Sequence, residues 1–223
     1  MSGPALDGDH PTPDQMAAEF EARAESRDLV IGVIGLGYVG LPLAEGFIGK
    51  GFRVLAYDPD AAKIEALTTG RSYIKHISDD RVTAMGATGR LEATTDEARL
   101  AAADALLMCV PTPLNVHREP DLSYVADCAT TISRHLRRGQ LVVLESTTYP
   151  GTSEELIRPI LEQATGLKSG LDFAIAYSPE RSEEHTSELQ SRRNLVFRLL
   201  LETTNTPSTT FPSSTFFPIS LSS

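Results

Sequence analysis

The sequence predicts a doubly wound α/β domain built on a parallel sheet, followed by a segment of different character. Three observations predict it. Short apolar runs alternate with helical stretches from Leu29 to Tyr177, too far apart for tight hairpins, so the strands must pair in parallel through crossovers. The run Ala105–Val110 (ALLMCV) is apolar throughout, as in a strand covered on both faces. A glycine-rich turn, Gly35-Leu36-Gly37-Tyr38-Val39-Gly40, stands between the first run and the first helix.

Residues 1–28 carry seven acids against Arg23 and Arg27 and read as an acidic arm ending in a short helix. Thr12, Pro13 and Gln15 form a helix start, with a hydroxyl cap, proline at the first helical position and glutamine three after the cap. Met16, Phe20 and Ala24 give it a narrow apolar stripe at spacing four. Leu29–Ile34 reads as a buried strand, Val39–Lys50 as a helix and Arg53–Tyr57 as the second strand. Ala61–Leu67 is helical, Leu91–Thr94 a short strand, and Ala101–Ala103 closes a small helix. Ala105–Val110 is a strand, Tyr124–Arg137 a helix and Leu141–Glu145 a strand. Ser153–Ala164 is a helix and Phe173–Tyr177 the last strand. Pro42 lies near the start of its helix, where few internal bonds are lost.

Composition limits the chemistry. A formal charge of −10 opposes a nucleic-acid partner. Cys109 and Cys128 are the only cysteines, and neither has metal-ligand or disulfide-framework spacing, so no metal site is expected. No apolar run reaches the roughly 18 residues of a membrane helix, and the first residues lack the apolar region of a secretory signal. These features lead us to expect a soluble, cytoplasmic protein with no membrane partner.

The glycine turn carries the functional signal because of its context. It follows an apolar strand, opens an apolar helix, and an acid, Asp58, ends the next strand 18 residues beyond Gly40. This is the dinucleotide fingerprint. Gly35 permits the turn, Gly37 lets a pyrophosphate approach the backbone, and Gly40 lets the helix pack closely. The helix start at Tyr38 and Val39 offers unpaired N–H groups and a partial positive charge. Asp58 is placed to accept ribose hydroxyls and to repel a 2′-phosphate, which favours NAD over NADP. The same residue also reads as a cap for the helix at Ala61. Lys63 is either within reach of the same ribose or a solvated surface lysine.

Several further motifs stand in fixed order: GVIGLGYVGLPLA at Gly32–Ala44, SYI-x-H at Ser72–His76, CVPTP at Cys109–Pro113, REPDLSYV at Arg118–Val125, ESTTYPGT at Glu145–Thr152 and SPER at Ser178–Arg181. With them, residues 29–181 resemble the UDP-glucose/GDP-mannose dehydrogenase family, the nucleotide-sugar 6-dehydrogenases. SYI-x-H and the long ESTTYPGT form look most like the UDP-N-acetylglucosamine 6-dehydrogenase branch; UDP-glucose and UDP-N-acetylmannosamine enzymes remain alternatives. The resemblance implies a Rossmann-like NAD-binding domain preceding helical and sugar-nucleotide domains. It implies oxidation of a sugar C6 alcohol to a carboxylate for polysaccharide biosynthesis, with two NAD used in succession and a cysteine thioester cleaved by water. The full-length enzyme would act on a UDP-sugar as a homo-oligomer.

Carried over by motif, Gly35, Gly37, Tyr38, Val39, Gly40, Asp58 and Lys63 would bind NAD. Thr112 would line the nicotinamide side, Thr147 would position the hydrolytic water beside the cofactor, and Glu180 would serve as acid and base. Taken alone, Thr112 and Thr147 read equally as loop hydroxyls satisfying nearby backbone, and Glu180 as a surface acid. Glu145 ends an apolar strand and is the candidate for the more buried carboxylate. His76, His117 and His135 are scattered and carry no assigned chemistry.

The family's nucleophilic cysteine lies in a Gly-Gly-x-Cys loop with a lysine and an asparagine upstream, and none of these is in this chain. Cys109 and Cys128 fall on a strand end and a helix and read as packing thiols. Beyond Arg181 the chain leaves the family pattern. Residues 182–223 contain no glycine or alanine but nine serines and seven threonines, a composition without a core-forming period. Arg181–Ser191 (RSEEHTSELQS) resembles the translation of a synthetic sequencing adapter. The expectation is therefore a non-native, disordered tail joined to the NAD-binding half of the enzyme, which would be poorly soluble and inactive alone. A non-catalytic NAD-binding module and a related dehydrogenase of hydroxy acids are the other classes; the pairing of ESTTYPGT with SPER disfavours the latter.

Overall fold

Apolar runs that no hairpin joins lie side by side in one parallel sheet. The computed structural model describes residues 11–113, 120–146 and 151–178. The strands are β1 (Val30–Ile34), β2 (Arg53–Tyr57), β3 (Leu91–Thr94), β4 (Ala105–Met108), β5 (Leu141–Leu144) and β6 (Ala174–Tyr177). Their order across the sheet is β3-β2-β1-β4-β5-β6, and every pairing is parallel. Strand order reverses between β1 and β4, which opens a crevice at their carboxyl ends. The expected doubly wound architecture is the one observed.

Successive strand residues face opposite sides of the sheet, and both sides are covered. Ile31, Val33, Ala105, Leu107 and Val143 face one layer with Leu41, Phe47 and Ile48 of α2 (Gly40–Gly49). Ile34, Leu106, Met108, Val142 and Leu144 face the other, with Val125 and Ile132 of α5 (Ser123–Ser133) and Leu161 of α6 (Arg158–Thr165). Double coverage is the reason β1, β4 and β5 read as unbroken apolar runs.

The first helix, α1 (Pro13–Glu25), begins as expected. Gln15 N–H donates to Thr12 Oγ1 at 3.3 Å, and Thr12 N–H donates to Gln15 Oε1 at 2.8 Å. Phe20 and Ala24 pack on the first layer. Arg23 clamps the helix to buried Asp104, just before β4, through bonds of 3.0 and 2.8 Å. Arg137 joins the same carboxylate at 2.7 Å, and Val30 N–H donates to it at 2.9 Å.

Four local features differ from the sequence reading. A helix α4 (Asp79–Ala87) follows α3 (Ala61–Thr68) where none was expected; it buries only Val82 and Met85. The small helix before β4 is a 3-10 helix over Glu97–Ala102. Helix α5 stops at Ser133 rather than Arg137: the Arg137 N–H donates to Gln140 Oε1 at 2.7 Å rather than to a carbonyl one turn back, and its guanidinium turns in to Asp104 and the Ala103 carbonyl. The stretch Ser153–Ile157 is π-helical before α6 begins. Pro159 has no N–H to give the carbonyl four residues back, so the regular ladder cannot run through this turn.

A candidate dinucleotide-binding site

The turn after β1 lies in the β1/β4 crevice. Gly35 has φ +90° and donates its N–H to the Tyr57 carbonyl at 2.9 Å. A Cβ there would sit 2.7 Å from the Cys109 carbonyl oxygen, so side chains are excluded by space as well as by conformation. A Cβ on Gly40 would collide with the Gly35 carbonyl oxygen and crowd Cys109 Cβ at 3.2 Å. Its absence lets α2 start against its own loop and the end of β4. Gly37 is different: an added Cβ meets nothing within 4 Å. That position faces open space, the room a phosphate needs. Pro42 is the third residue of α2, among the first four whose N–H has no partner in the helix.

Asp58 ties this loop to β2. Its Oδ2 accepts the Leu36 N–H at 2.8 Å and the Lys63 ammonium at 2.7 Å, and its Oδ1 accepts the Asp60 N–H at 3.0 Å. The cap of α3 is Asp60, which accepts the Ala62 N–H at 3.0 Å. Asp58 is therefore not that helix's cap, and its carboxylate is directed at the glycine loop. Lys63 is no free surface lysine; it lies one turn along α3 and folds back onto Asp58.

Tyr73 is a participant that the sequence reading passed over. Its hydroxyl donates to the Leu36 carbonyl at 2.8 Å. Burial first, then the nearby Asp58 and Asp60 charges, push its phenol far above the usual tyrosine value, so it stays a donor. The sequence signal was the SYI-x-H motif, in which Tyr73 is the second residue, though no role was read into its hydroxyl. Tyr38 is 70% exposed at the mouth of the loop, its ring centroid 6.5 Å from that of His76, while Val39 is half-buried on the first layer.

On the β4 side, Thr112 is half-buried between exposed Pro111 and Pro113. The Asp121 N–H donates to the Pro113 carbonyl at 2.7 Å. Glu145 is buried at the carboxyl end of β5, next to buried Ser146, whose hydroxyl donates to the Val110 carbonyl at 2.7 Å. Thr147 and Glu180 lie outside the described residues, as does the segment from Pro179 onward. Cys109 and Cys128 are both buried, and burial pushes the Cys128 thiol up to about 12. Among the described residues no cluster of three or more His, Cys, Asp or Glu has metal-holding geometry. None of their helices is long and apolar enough to cross a membrane.

An apolar cavity of about 70 Å³ lies elsewhere, at the amino end of β5 and β6 under α1, lined by Met16, Phe20, Leu171 and Phe173 among others. It offers nothing to a phosphate. The glycine crevice differs: it has a side-chain-free backbone approach at Gly37 in the turn leading into α2, and the Asp58 carboxylate beside it. Groups of this kind suit an adenine dinucleotide, and Gly35, Gly37, Tyr38, Val39, Gly40 and Asp58 lie together at this crevice.

Comparison with known proteins agrees. The model of the UDP-glucose/GDP-mannose dehydrogenase family, NAD binding domain, matches residues 29–194. The UDP-N-acetyl-D-mannosamine dehydrogenase of Pyrococcus horikoshii is 39% identical over 152 residues, 68% of this chain and 36% of that protein. The UDP-N-acetyl-D-glucosamine 6-dehydrogenase of Pseudomonas aeruginosa is 37% identical over 155 residues, 70% of this chain and 36% of that protein. The structure of a ternary complex of GDP-mannose dehydrogenase from Pseudomonas aeruginosa superposes with a TM-score of 0.65 at 31% identity, covering 69% of this chain and 36% of the other. The chain thus spans about a third of the length of these relatives. It belongs to the UDP-glucose/GDP-mannose dehydrogenase family, and what it shares with its relatives is their NAD-binding domain.

Proposed function

We propose that the whole protein to which this domain belongs oxidises the C6 alcohol of a UDP-sugar to a carboxylate, with UDP-N-acetylglucosamine as the favoured substrate. In this reading residues 29–181 are the NAD-binding unit, and the remaining chemistry is supplied by domains this chain does not carry. The observation that supports it most is the Asp58 carboxylate, bonded to Leu36 N–H of the glycine loop and set where a ribose would lie. A carboxylate has about four acceptor directions; Leu36, Asp60 and Lys63 take three, and a ribose hydroxyl would take the last, on Oδ1 of a side chain that is itself buried. The negative charge there disfavours a 2′-phosphate.

NAD supplies the hydride acceptor for both oxidations. The chain's own residues bind and orient it: Gly37, Tyr38 and Val39 at the pyrophosphate, Asp58 and Lys63 at the ribose, Thr112 beside the nicotinamide. Thr147 would hold the attacking water and Glu180 would relay its proton, as their motifs imply. The substrate choice rests on the SYI-x-H and ESTTYPGT segments. Relatives of near-equal identity carry names with UDP-N-acetylmannosamine and UDP-N-acetylglucosamine, so the sugar is the part to test. The serine-rich segment after Arg181 is, on this reading, foreign to the enzyme, although the family match runs on to residue 194.

The test has two arms. Calorimetry on the folded chain should show uptake of NAD in preference to NADP; no uptake would overturn the NAD reading. The complete protein encoded at the source locus should produce NADH fastest from UDP-N-acetylglucosamine, whereas this chain alone should produce none. Faster turnover of UDP-glucose or UDP-N-acetylmannosamine would reassign the substrate.

A further inference from the structure

Leu36 is held from both sides. Its N–H donates to Asp58 and its carbonyl accepts from Tyr73, each at 2.8 Å. These bonds fix two consecutive peptide planes. In a planar trans peptide the C=O and N–H point in opposite directions. With the Leu36 N–H on Asp58, the Gly35 carbonyl is thrown toward the start of α2, where only the missing Cβ of Gly40 leaves it room. With the Leu36 carbonyl on Tyr73, the Gly37 N–H must face the other way. Tyr73 packs on the α2 side of the sheet, and the Gly37 N–H, turned away from it, is the donor at a residue where an added Cβ meets nothing within 4 Å.

Tyrosine suits this task. Its ring buries against the layer while its tip reaches a polar partner. Nothing in the glycine fingerprint demands it; the bond spans 37 residues of sequence. Without that hydroxyl the Leu36–Gly37 peptide is free to rotate, since glycine tolerates either orientation. A rotated peptide would present a carbonyl oxygen to the phosphates and repel them.

We propose that Tyr73 is a positioning residue for the cofactor's pyrophosphate: by holding the Leu36 carbonyl inward it aims the Gly37 N–H at the phosphates. The proposal rests on the reading of this loop as the NAD site.

The test separates pyrophosphate from adenosine binding in Tyr73→Phe, which keeps the ring. ADP-ribose and NAD should bind roughly ten-fold more weakly, the value of one hydrogen bond to a charged group. Adenosine, which has no phosphate and is gripped at the Asp58 edge, should bind as in the unsubstituted chain. A merely structural role would weaken adenosine in step, and that result, or unchanged ADP-ribose binding, would overturn the proposal. If the unsubstituted chain binds neither ligand, the NAD reading itself fails. Should the variant not fold, inorganic pyrophosphate titrated into the 15N-labelled unsubstituted chain decides: the Gly37 amide should shift strongly, and an unmoved Gly37 resonance would refute the role.

Discussion

Lys63 Nζ lies 2.7 Å from Asp58 Oδ2, on the same oxygen that accepts the Leu36 N–H. Two donors therefore converge on one atom, and the carboxylate is less an isolated ribose acceptor than a joint between the loop, β2 and α3. Asp58→Asn puts an amide there, and whichever way it turns, one donor faces another donor. The variant should lose about 1–3 kcal/mol of stability, the cost of an unsatisfied buried group. It should also lose its discrimination, because the charge that repels a 2′-phosphate is gone. Calorimetry with NAD and NADP should show their affinity ratio contract by roughly ten-fold or more. An unchanged ratio would show that specificity is set elsewhere.

The glycines at 37 and 40 look alike in the motif but differ in what surrounds them. Gly40→Ala drives a methyl into the Gly35 carbonyl and against Cys109, a rigid backbone clash of the kind that costs about 1–3 kcal/mol or more. Gly37→Ala meets no protein atom within 4 Å, so its melting temperature should stay close to that of the unsubstituted chain while NAD affinity falls. The expected signature is a crossed pair: one variant hurt in stability, the other in binding. Equal thermal losses would contradict the open cradle at Gly37.

The order of strands and helices was legible because the central strands β1, β2, β4 and β5 are buried on both faces and each major helix is apolar on one. Helix α4 escaped notice because its contribution to the core is two side chains, Val82 and Met85; its signal was Ser78 followed by two acids in the first turn. In Tyr57-Asp58-Pro59-Asp60 both aspartates suit a helix cap, and local pattern does not say which one turns to the loop. The structure divides the work, Asp60 to the helix and Asp58 to the glycine turn. Tyr73 was beyond reach of any local rule, since its partner Leu36 is set by the packing of the α3–α4 segment. Arg81 of that segment, paired with Glu45 of α2, likewise follows from tertiary packing alone.

Cys128 should be unreactive in the folded protein. Burial pushes its thiol up to about 12, so almost no thiolate forms at pH 8, and only the thiolate attacks. Labelling by a thiol reagent should be slow in buffer and fast in denaturant. Rapid modification of the native chain at Cys128 would reopen the possibility that it acts as a nucleophile.

The docking of α1 should be the acid-sensitive joint of the domain. Asp104 is buried, which alone would raise its carboxyl. The Val30 N–H and the Arg23 and Arg137 guanidinium groups outweigh that and hold it below the usual aspartate range. A depressed folded value means that the carboxylate's contribution is fully present above the unfolded value of about 4. It is lost as pH falls from there through the folded value, because the unfolded chain takes up the proton first. Asp104→Asn removes that dependence and leaves Arg23 and Arg137, both partly exposed, to turn toward water. Its stability at neutral pH should drop by about 1–3 kcal/mol, chiefly from the weakened hold on the Val30 N–H and the two arginines. Denaturant titrations of both proteins between pH 7 and pH 3 should show the two stabilities converging as pH falls. Parallel curves across that range would show that Asp104 does not govern the acid response.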